Sequence, residues 1–315
     1  MSVKKTRKRG FTRLTFSFVK HKITDMKGLI ITNAYAKSEE YYNQPERLRE
    51  ELLRNGVFTD ILPLDTSMCG ISARGESIFN LKDYDFCVFY DKDPYAIQLI
   101  EKSGLRCFNT YEAMSACDDK MLTAIKLANF GIPMPETYFS PLCYVSSASV
   151  SAKDISFLSD RLGYPMIVKE CYGSLGKGVH LIRNENELKE IAEKLKFIPH
   201  LYQKYISESF GTDIRAIVVG GKFVGAMKRI SGGDFRSNIA SGGHGEIYPA
   251  DNSLITLSEK IARVLKLDYC GIDFLLASGG YVLCEVNSNA FFKEFEKVTK
   301  INVAELYAKH IISSL

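Results

Sequence analysis

The chain has 315 residues and lacks several common signatures. No apolar run approaches the length of a membrane span, so no transmembrane segment and no membrane partner are expected. No Cys-x-x-Cys pair occurs among Cys69, Cys87, Cys107, Cys117, Cys143, Cys171, Cys270 and Cys284. Several of them sit inside apolar runs such as DFCVFY and YVLCEV. They read as small core residues in a reducing, cytoplasmic setting, not as a disulfide or zinc framework. The five histidines (His21, His180, His200, His244 and His310) have no metal-ligand spacing. Only His244, within a glycine-rich stretch, is a candidate substrate contact. No G-x-G-x-x-G follows the first strand-like run, which leaves a dinucleotide site unsupported. Lys177 is not followed by Ser or Thr and leads into a strand-like run, which excludes a Walker A loop.

Positive charge is also scarce outside one segment. The net charge is +4, yet residues 1–25 carry eight Lys/Arg against one Asp, so the remainder is net acidic. Nucleic acid is therefore not an expected partner of the folded part. Residues 1–25 read as a disordered or non-native basic extension; a targeting peptide or residues upstream of the true start are the alternatives. With 46% hydrophobic residues, the rest can bury a large core or two to three smaller ones.

From Met26 the chain alternates strands and helices. Strands are expected at 28–32, 57–62, 86–90 and 105–108, with helices at 45–55 and 94–103. This alternation predicts a parallel sheet covered on both faces, a domain of residues 26–110. Residues 111–131 hold one or two helices, with Asp118 as N-cap and Lys120 in the first turn. A lysine there opposes the helix dipole. It is either a solvated surface residue or one aimed at phosphate. A strand at 166–170 carries Lys169 and leads through the glycine-rich run 173–178 to a strand at 179–182. Such a loop can cradle phosphate with its backbone N–H groups, or it can be an ordinary mobile hairpin. Ideal pairing of 213–219 with 222–230 through Gly220-Gly221 puts Asp213, Arg215 and Lys228 on one face and Arg229 on the other. Residues 231–245 form an unusually long polar, glycine-rich loop.

The stretch CGIDFLLASGGYVLCEVNSN predicts strands at 270–277 and 281–286, joined by the three-residue loop Ser278-Gly279-Gly280. That register sets Asp273 opposite Glu285, with Asn287 on the same face. Two carboxylates and an amide oxygen suit a hard divalent cation; the alternative is ordinary polar punctuation at strand ends.

The order of Lys120 in DDK, Lys169 in IVKE, GSLGKGV, QKYI, DIR, DFRSN followed by GG, GIDF and EVNSN resembles the ATP-grasp superfamily, and most of all the RimK-like amino-acid ligases. The resemblance runs from Met26 to Leu315. It implies an α/β (α+β) architecture: an N-terminal parallel-sheet pre-ATP-grasp domain, then a two-subdomain ATP-grasp fold. The lid subdomain would span 111–200 and the C-terminal subdomain 201–315.

The resemblance also implies site roles. Lys120 and Lys169 would contact ATP phosphates beneath a mobile lid containing Gly173, Ser174, Gly176 and Gly178. Gln203, Lys204, Tyr205 and Ile206 would line the adenine pocket, largely through backbone groups. Asp213 would meet ribose, and Arg236 and Asn238 would reach the phosphates and the reacting carboxylate. Asp273, Glu285 and Asn287 would hold two Mg²⁺ ions, or Mn²⁺ in their place, with Glu285 bridging. Arg229 matches a family arginine, and a bulge would reconcile it with Asp213. Lys204 stands where the family usually has Glu, which puts nucleotide preference in question if that side chain is used. The implied activity is ADP-forming ligation of an amino acid, glutamate above all, to a carboxylate of a peptide, protein or small molecule. Arg215 is the residue expected to hold that carboxylate. Two alternatives stand beside it: a ligase for a small dipeptide or cofactor tail, and a nucleotide-binding regulatory module without turnover. A homo-oligomer also fits the family.

Overall fold

A computed structural model describes residues 26–36, 38–173, 176–236 and 243–315. The basic segment 1–25 and the candidate contacts Ser174 and Asn238 lie outside the described residues. No described helix is long and apolar enough to cross a membrane.

Strands β1 (Lys27–Asn33), β2 (Phe58–Leu64), β3 (Phe86–Tyr90) and β4 (Arg106–Phe108) form a parallel sheet in the order β2-β1-β3-β4. Helix α1 (Glu39–Arg54) joins β1 to β2, and α2 (Pro94–Lys102) joins β3 to β4. Leu29 and Ile31 point into one apolar cluster and Ile30 into another, as expected for a strand buried on both faces. Helix α1 begins six residues before Pro45, the start expected from sequence. Tertiary contacts hold this early turn despite the interior proline. Gln44 accepts from the Phe292 N–H at 3.2 Å, and Tyr41 meets Phe291 edge-on.

Residues 111–131 form two helices, α3 (Tyr111–Asp118) and α4 (Lys120–Leu127). The N-cap of α4 is Asp119, not Asp118: the Asp119 carboxylate accepts from the N–H groups of Met121 and Leu122. Asp118 completes the preceding helix, and Thr110 caps that one.

A second sheet is antiparallel, in the order β5-β8-β6-β7: β5 (Thr137–Phe139), β6 (Met166–Glu170), β7 (Val179–Ile182) and β8 (His200–Lys204). Helices α5 (Ala152–Leu162) and α6 (Glu185–Leu195) cover one face, packing on Met166, Val168 and Tyr202. Ile167 and Lys169 alternate to the other face, which lines a large cleft.

The third sheet, β11-β10-β9-β12-β13, is also antiparallel. It comprises β9 (Thr212–Val219), β10 (Lys222–Ile230), β11 (His244–Ile247), β12 (Tyr269–Ala277) and β13 (Gly280–Asn287). One face packs on α7 (Asn252–Val264) and on α3 and α4. The other packs on α8 (Lys293–Thr299), α9 (Val303–Ser314) and the parallel sheet. Strand β11 and helix α8 are too short to show a period and went unread in the sequence. Asn109 joins the two sheets: its amide donates to the carbonyls of Tyr269 and Ser288 and accepts from the N–H of Asp268.

Candidate active site

Period-two alternation builds the site. On β9, Ile214, Ala216 and Val218 face the α7 core, so Asp213, Arg215 and Ile217 share the opposite face. On β12, Ile272 and Phe274 face that core and Asp273 faces away. The far end of the away face is apolar and packed by α9; the near end is charged and opens into a cleft of about 920 Å³. Residues from all three sheets line it.

Two β-bulges set what enters this cleft. On β13, Tyr281 and Leu283 face the α7 core, and so does Val286. The switch from odd to even comes from Cys284, the extra residue between the pairs Phe274–Leu283 and Asp273–Glu285. Without it Glu285 would turn into the core. The turn therefore has two residues, Ser278 and Gly279, and not the three expected; one shorter loop plus one bulge restores the Asp273–Glu285 pairing. On β10, Val224 is the extra residue, which shifts the register by one. Arg229 then stands opposite Asp213, and Lys228 opposite Ile214. This corrects the ideal register, which grouped Lys228 with Asp213 and turned Arg229 away.

The outcome is an alternating charge network. Arg215 grips Asp273 with Nε and Nη2, at 2.7 and 2.8 Å. Arg229 contacts the same carboxylate at 2.8 Å and holds Asp213 with its Nε at 2.7 Å. Two cations and two anions balance, which a buried set requires. Burial opposes charge on Arg229, but the carboxylates of Asp273 and Asp213 outweigh it and raise its pKa. Burial likewise works against the Asp273 carboxylate, and Arg215 and Arg229 overcome it, holding its pKa below the ordinary 3.8. A lowered folded-state pKa gives stability that is complete above the unfolded value and lost as pH falls through the folded one. Urea midpoints are expected to vary little with this network between about pH 7 and 5 and to drop below about pH 4. An Asp273→Asn variant should show less of that acid loss.

Lys169 is 9% exposed and donates to Gln203 Oε1 at 2.8 Å. Gln203 Nε2 donates to Thr137 Oγ1 at 2.9 Å, and that hydroxyl donates to the Pro135 carbonyl at 2.8 Å. The relay fixes the amide orientation and aims its oxygen at the ammonium. Sequence reasoning gave Gln203 mainly a backbone part; its side chain also positions Lys169. Lys204 donates its N–H to the Glu136 carbonyl, and its side chain is exposed. Gln203→Leu removes the side-chain acceptor of the buried Lys169 ammonium and is expected to cost about 1.5–3 kcal/mol of stability, the scale of a hydrogen bond to a charged group, read from urea midpoints.

Lys120 lies at the start of α4, where its Nζ donates to the Gly173 carbonyl at 3.0 Å and sits 3.7 Å from Glu285. Arg236 donates to the Gly176 carbonyl at 2.9 Å while Asp234 holds the rest of its guanidinium. Both cations thus touch the glycine-rich loop. Gly176 and Gly178 have φ of +72° and +71°, where side chains are strained, and a Cβ on Gly178 would stand 2.8 Å from the Glu170 carboxyl carbon.

Glu285 and Asn287 face the cleft beside Asp273. Glu285 is 30% exposed in its side chain, with Lys120 as its ion partner. Two carboxylates and one amide oxygen are hard donors, and the set fits Mg²⁺ or Mn²⁺. Among the described residues no group of three His, Cys, Asp or Glu side chains could hold a metal ion by itself.

The cleft thus collects Lys120, Lys169, Gly176, Gln203, Lys204, Tyr205, Ile206, Asp213, Arg215, Arg229, Arg236, Asp273, Glu285 and Asn287. Gly173 and Gly178 are not among its lining residues. His244 is exposed on β11, near Glu246, and outside the cleft. The sequence reading missed Asn33, Asp91 and Asn289, which line the cleft from the parallel sheet and from the turn after β13. Asp91 directly follows the strand FCVFY, and residues just past the carboxyl ends of parallel strands are where ligands bind in such sheets. That signal was present.

The model of a RimK-like ATP-grasp domain matches residues 117–312. The chain belongs to the RimK-like ATP-grasp family. It is 35% identical to human N-acetylaspartylglutamate synthase A over 231 residues, 71% of this chain and 57% of that protein. To human β-citrylglutamate synthase B it is 35% identical over 295 residues, 88% of this chain and 75% of the relative. The match thus spans little more than half of the synthase A. Among solved structures, the ATP-grasp ligase PsnB, complexed with a minimal precursor, Mg and ADP, superposes with a TM-score of 0.63 at 14% identity, covering 91% of this chain and 97% of PsnB. The family's fold, a parallel sheet followed by two antiparallel sheets, is the one expected from the sequence motifs.

Proposed function

We propose that the protein is an ATP-dependent, ADP-forming carboxylate–amine ligase that joins glutamate to a carboxylate through an acyl phosphate. The observation that carries this reading is the convergence, in one cleft, of Lys120 and Lys169, the oxygen set Asp273, Glu285 and Asn287, and the fork of Arg215.

Lys169, held by Gln203, and Lys120, held at the mouth of the glycine-rich loop, place positive charge for phosphate oxygens. Gly173, Gly176 and Gly178 allow that loop to fold over the nucleotide, with Arg236 tied to it. The segment from Gln203 to Ile206 forms the adenine wall. Because the Lys204 side chain is exposed, its departure from the family pattern leaves the backbone of that wall intact. Asp213, held in place by Arg229, would accept from a ribose hydroxyl.

Asp273, Glu285 and Asn287 would hold the metal. Bound magnesium neutralises phosphate charge and favours phosphoryl transfer. Arg215 spends Nε and Nη2 on Asp273, which leaves Nη1 to hold the reacting carboxylate and later the oxyanion. Activation is needed because oxide is too poor a leaving group for an amine to displace. Phosphate leaves instead, and the amine's proton goes to solvent or a nearby acceptor.

The names of the two synthases favour a small polycarboxylate as acceptor over a protein. Supplying N-acetylaspartate or citrate labelled with ¹⁸O in its carboxylates, together with glutamate and ATP, tests the reading. One ¹⁸O should appear in phosphate per amide formed. ADP release independent of either acid or amine would contradict it.

A further inference from the structure

The cleft contains a buried carboxylate that none of the roles above uses. Asp91 is 8% exposed and lines the cleft. Its oxygens accept from the Asn33 amide at 3.1 and 3.2 Å, and from the Lys92 N–H. Among the described residues it has no cationic partner. The adjacent Lys92 ammonium turns instead to Asp118. The other buried carboxylates of the cleft, Asp213 and Asp273, are each gripped by arginine. A buried charge without a counter-ion is costly, and buried charges are ordinarily paired, so a cationic ligand group would complete this one.

Its position points the same way. The chain runs from β1 outward to β2, then crosses back to β3 on the other side of β1. The strand order therefore reverses between β1 and β3. The crevice at their carboxyl ends is the topological switch point, where ligands of open parallel sheets bind. Asn33 closes β1, and Asp91 follows β3. Asn289 donates to the carbonyls of Phe89 and Asp91, at 3.2 and 3.1 Å. It stands two residues beyond Asn287, so one turn fixes both this strand end and the proposed metal set.

Resting on the ligase reading, we infer that Asp91 and Asn33 form the subsite for the primary ammonium of the amino-acid substrate. Asp91 supplies the charge and Asn33 orients it. The subsite recognises an amine and not the acceptor acid.

The test is binding, measured by calorimetry on the full chain with ADP and Mg²⁺ present. L-glutamate is compared with glutarate, the same diacid without its amine. The wild-type protein should prefer L-glutamate by at least about tenfold, the scale of one charged hydrogen bond. Asp91→Asn, which keeps the shape, should remove that preference while ADP affinity and melting temperature hold or rise. Equal affinities in the wild type, or the same preference in Asp91→Asn, overturns the assignment. Loss of ADP binding or of the folded state in Asp91→Asn, with Asn33→Ala behaving alike, also overturns it by showing a structural role. Repeating the titration with aspartate and its N-acetyl form separates the sources: a preference for free aspartate that follows Asp91 in the presence of saturating glutamate would place the acceptor there and refute the assignment. Turnover is a separate measurement. A wild type that binds L-glutamate through its amine yet releases no ADP refutes the ligase reading and leaves this subsite standing.

Discussion

Glu285→Ala is expected to lower ADP formation by about a thousandfold or more while leaving the fold intact. Charge neutralisation by metal ions supplies several kcal/mol to phosphoryl transfer, and Glu285 is the carboxylate of the set with least structural work. Asp273 also holds two arginines in place, whereas among the described residues the Lys120 ammonium, 3.7 Å away, is the ion partner of Glu285. Its removal leaves no buried cation stranded, because Lys120 keeps the Gly173 carbonyl. The melting temperature should therefore stay near that of the wild type, whereas the melting shift produced by Mg²⁺ and ADP should vanish. Glu285→Gln keeps the shape and one oxygen donor; intermediate activity is expected. Wild-type turnover in Glu285→Ala would remove the metal assignment.

Arg229→Leu is expected to cost about 3–5 kcal/mol of stability, the scale for breaking a buried ion pair by removing one partner. The change takes the Arg229 guanidinium from both Asp213 and Asp273, while Arg215 still grips Asp273. Adding Asp213→Leu removes one negative charge and leaves the balanced Arg215–Asp273 pair. The double variant should thus recover part of the loss, a coupling readable from denaturant midpoints. ADP formation should fall in both. Equal or greater instability in the double variant would mean that packing, not charge balance, governs this part of the sheet.

The strands that carry these side chains were legible because their alternation is strong. The sequence placed β3, β6, β7 and β10 at their observed bounds and set Asp273 against Glu285. It reached that pairing through a loop one residue too long, offset by the unseen bulge at Cys284. The bulge at Val224 had no such compensation, so ideal pairing put Arg229 on the wrong face; the bulge that the family resemblance called for is what sets it opposite Asp213. A bulge is set by how a strand packs on its neighbours, which here means Leu283 and Val286 both seeking the α7 core. Local spacing does not encode that. The cap of α4 was missed by one residue because adjacent aspartates have equal propensity and only tertiary placement chooses between them. Asp91 and Asn33 were missed for a related reason: they are 58 residues apart, and only the crossover from β2 to β3 brings them together.

The most direct measurement is mass spectrometry of the products formed by the purified protein from ATP, Mg²⁺, L-glutamate and a panel of small carboxylic acids, with ADP quantified alongside. The account predicts a product one glutamyl residue heavier than one of the acids, formed in equal amount with ADP. Nucleotide binding without any amide product, or AMP in place of ADP, would contradict it.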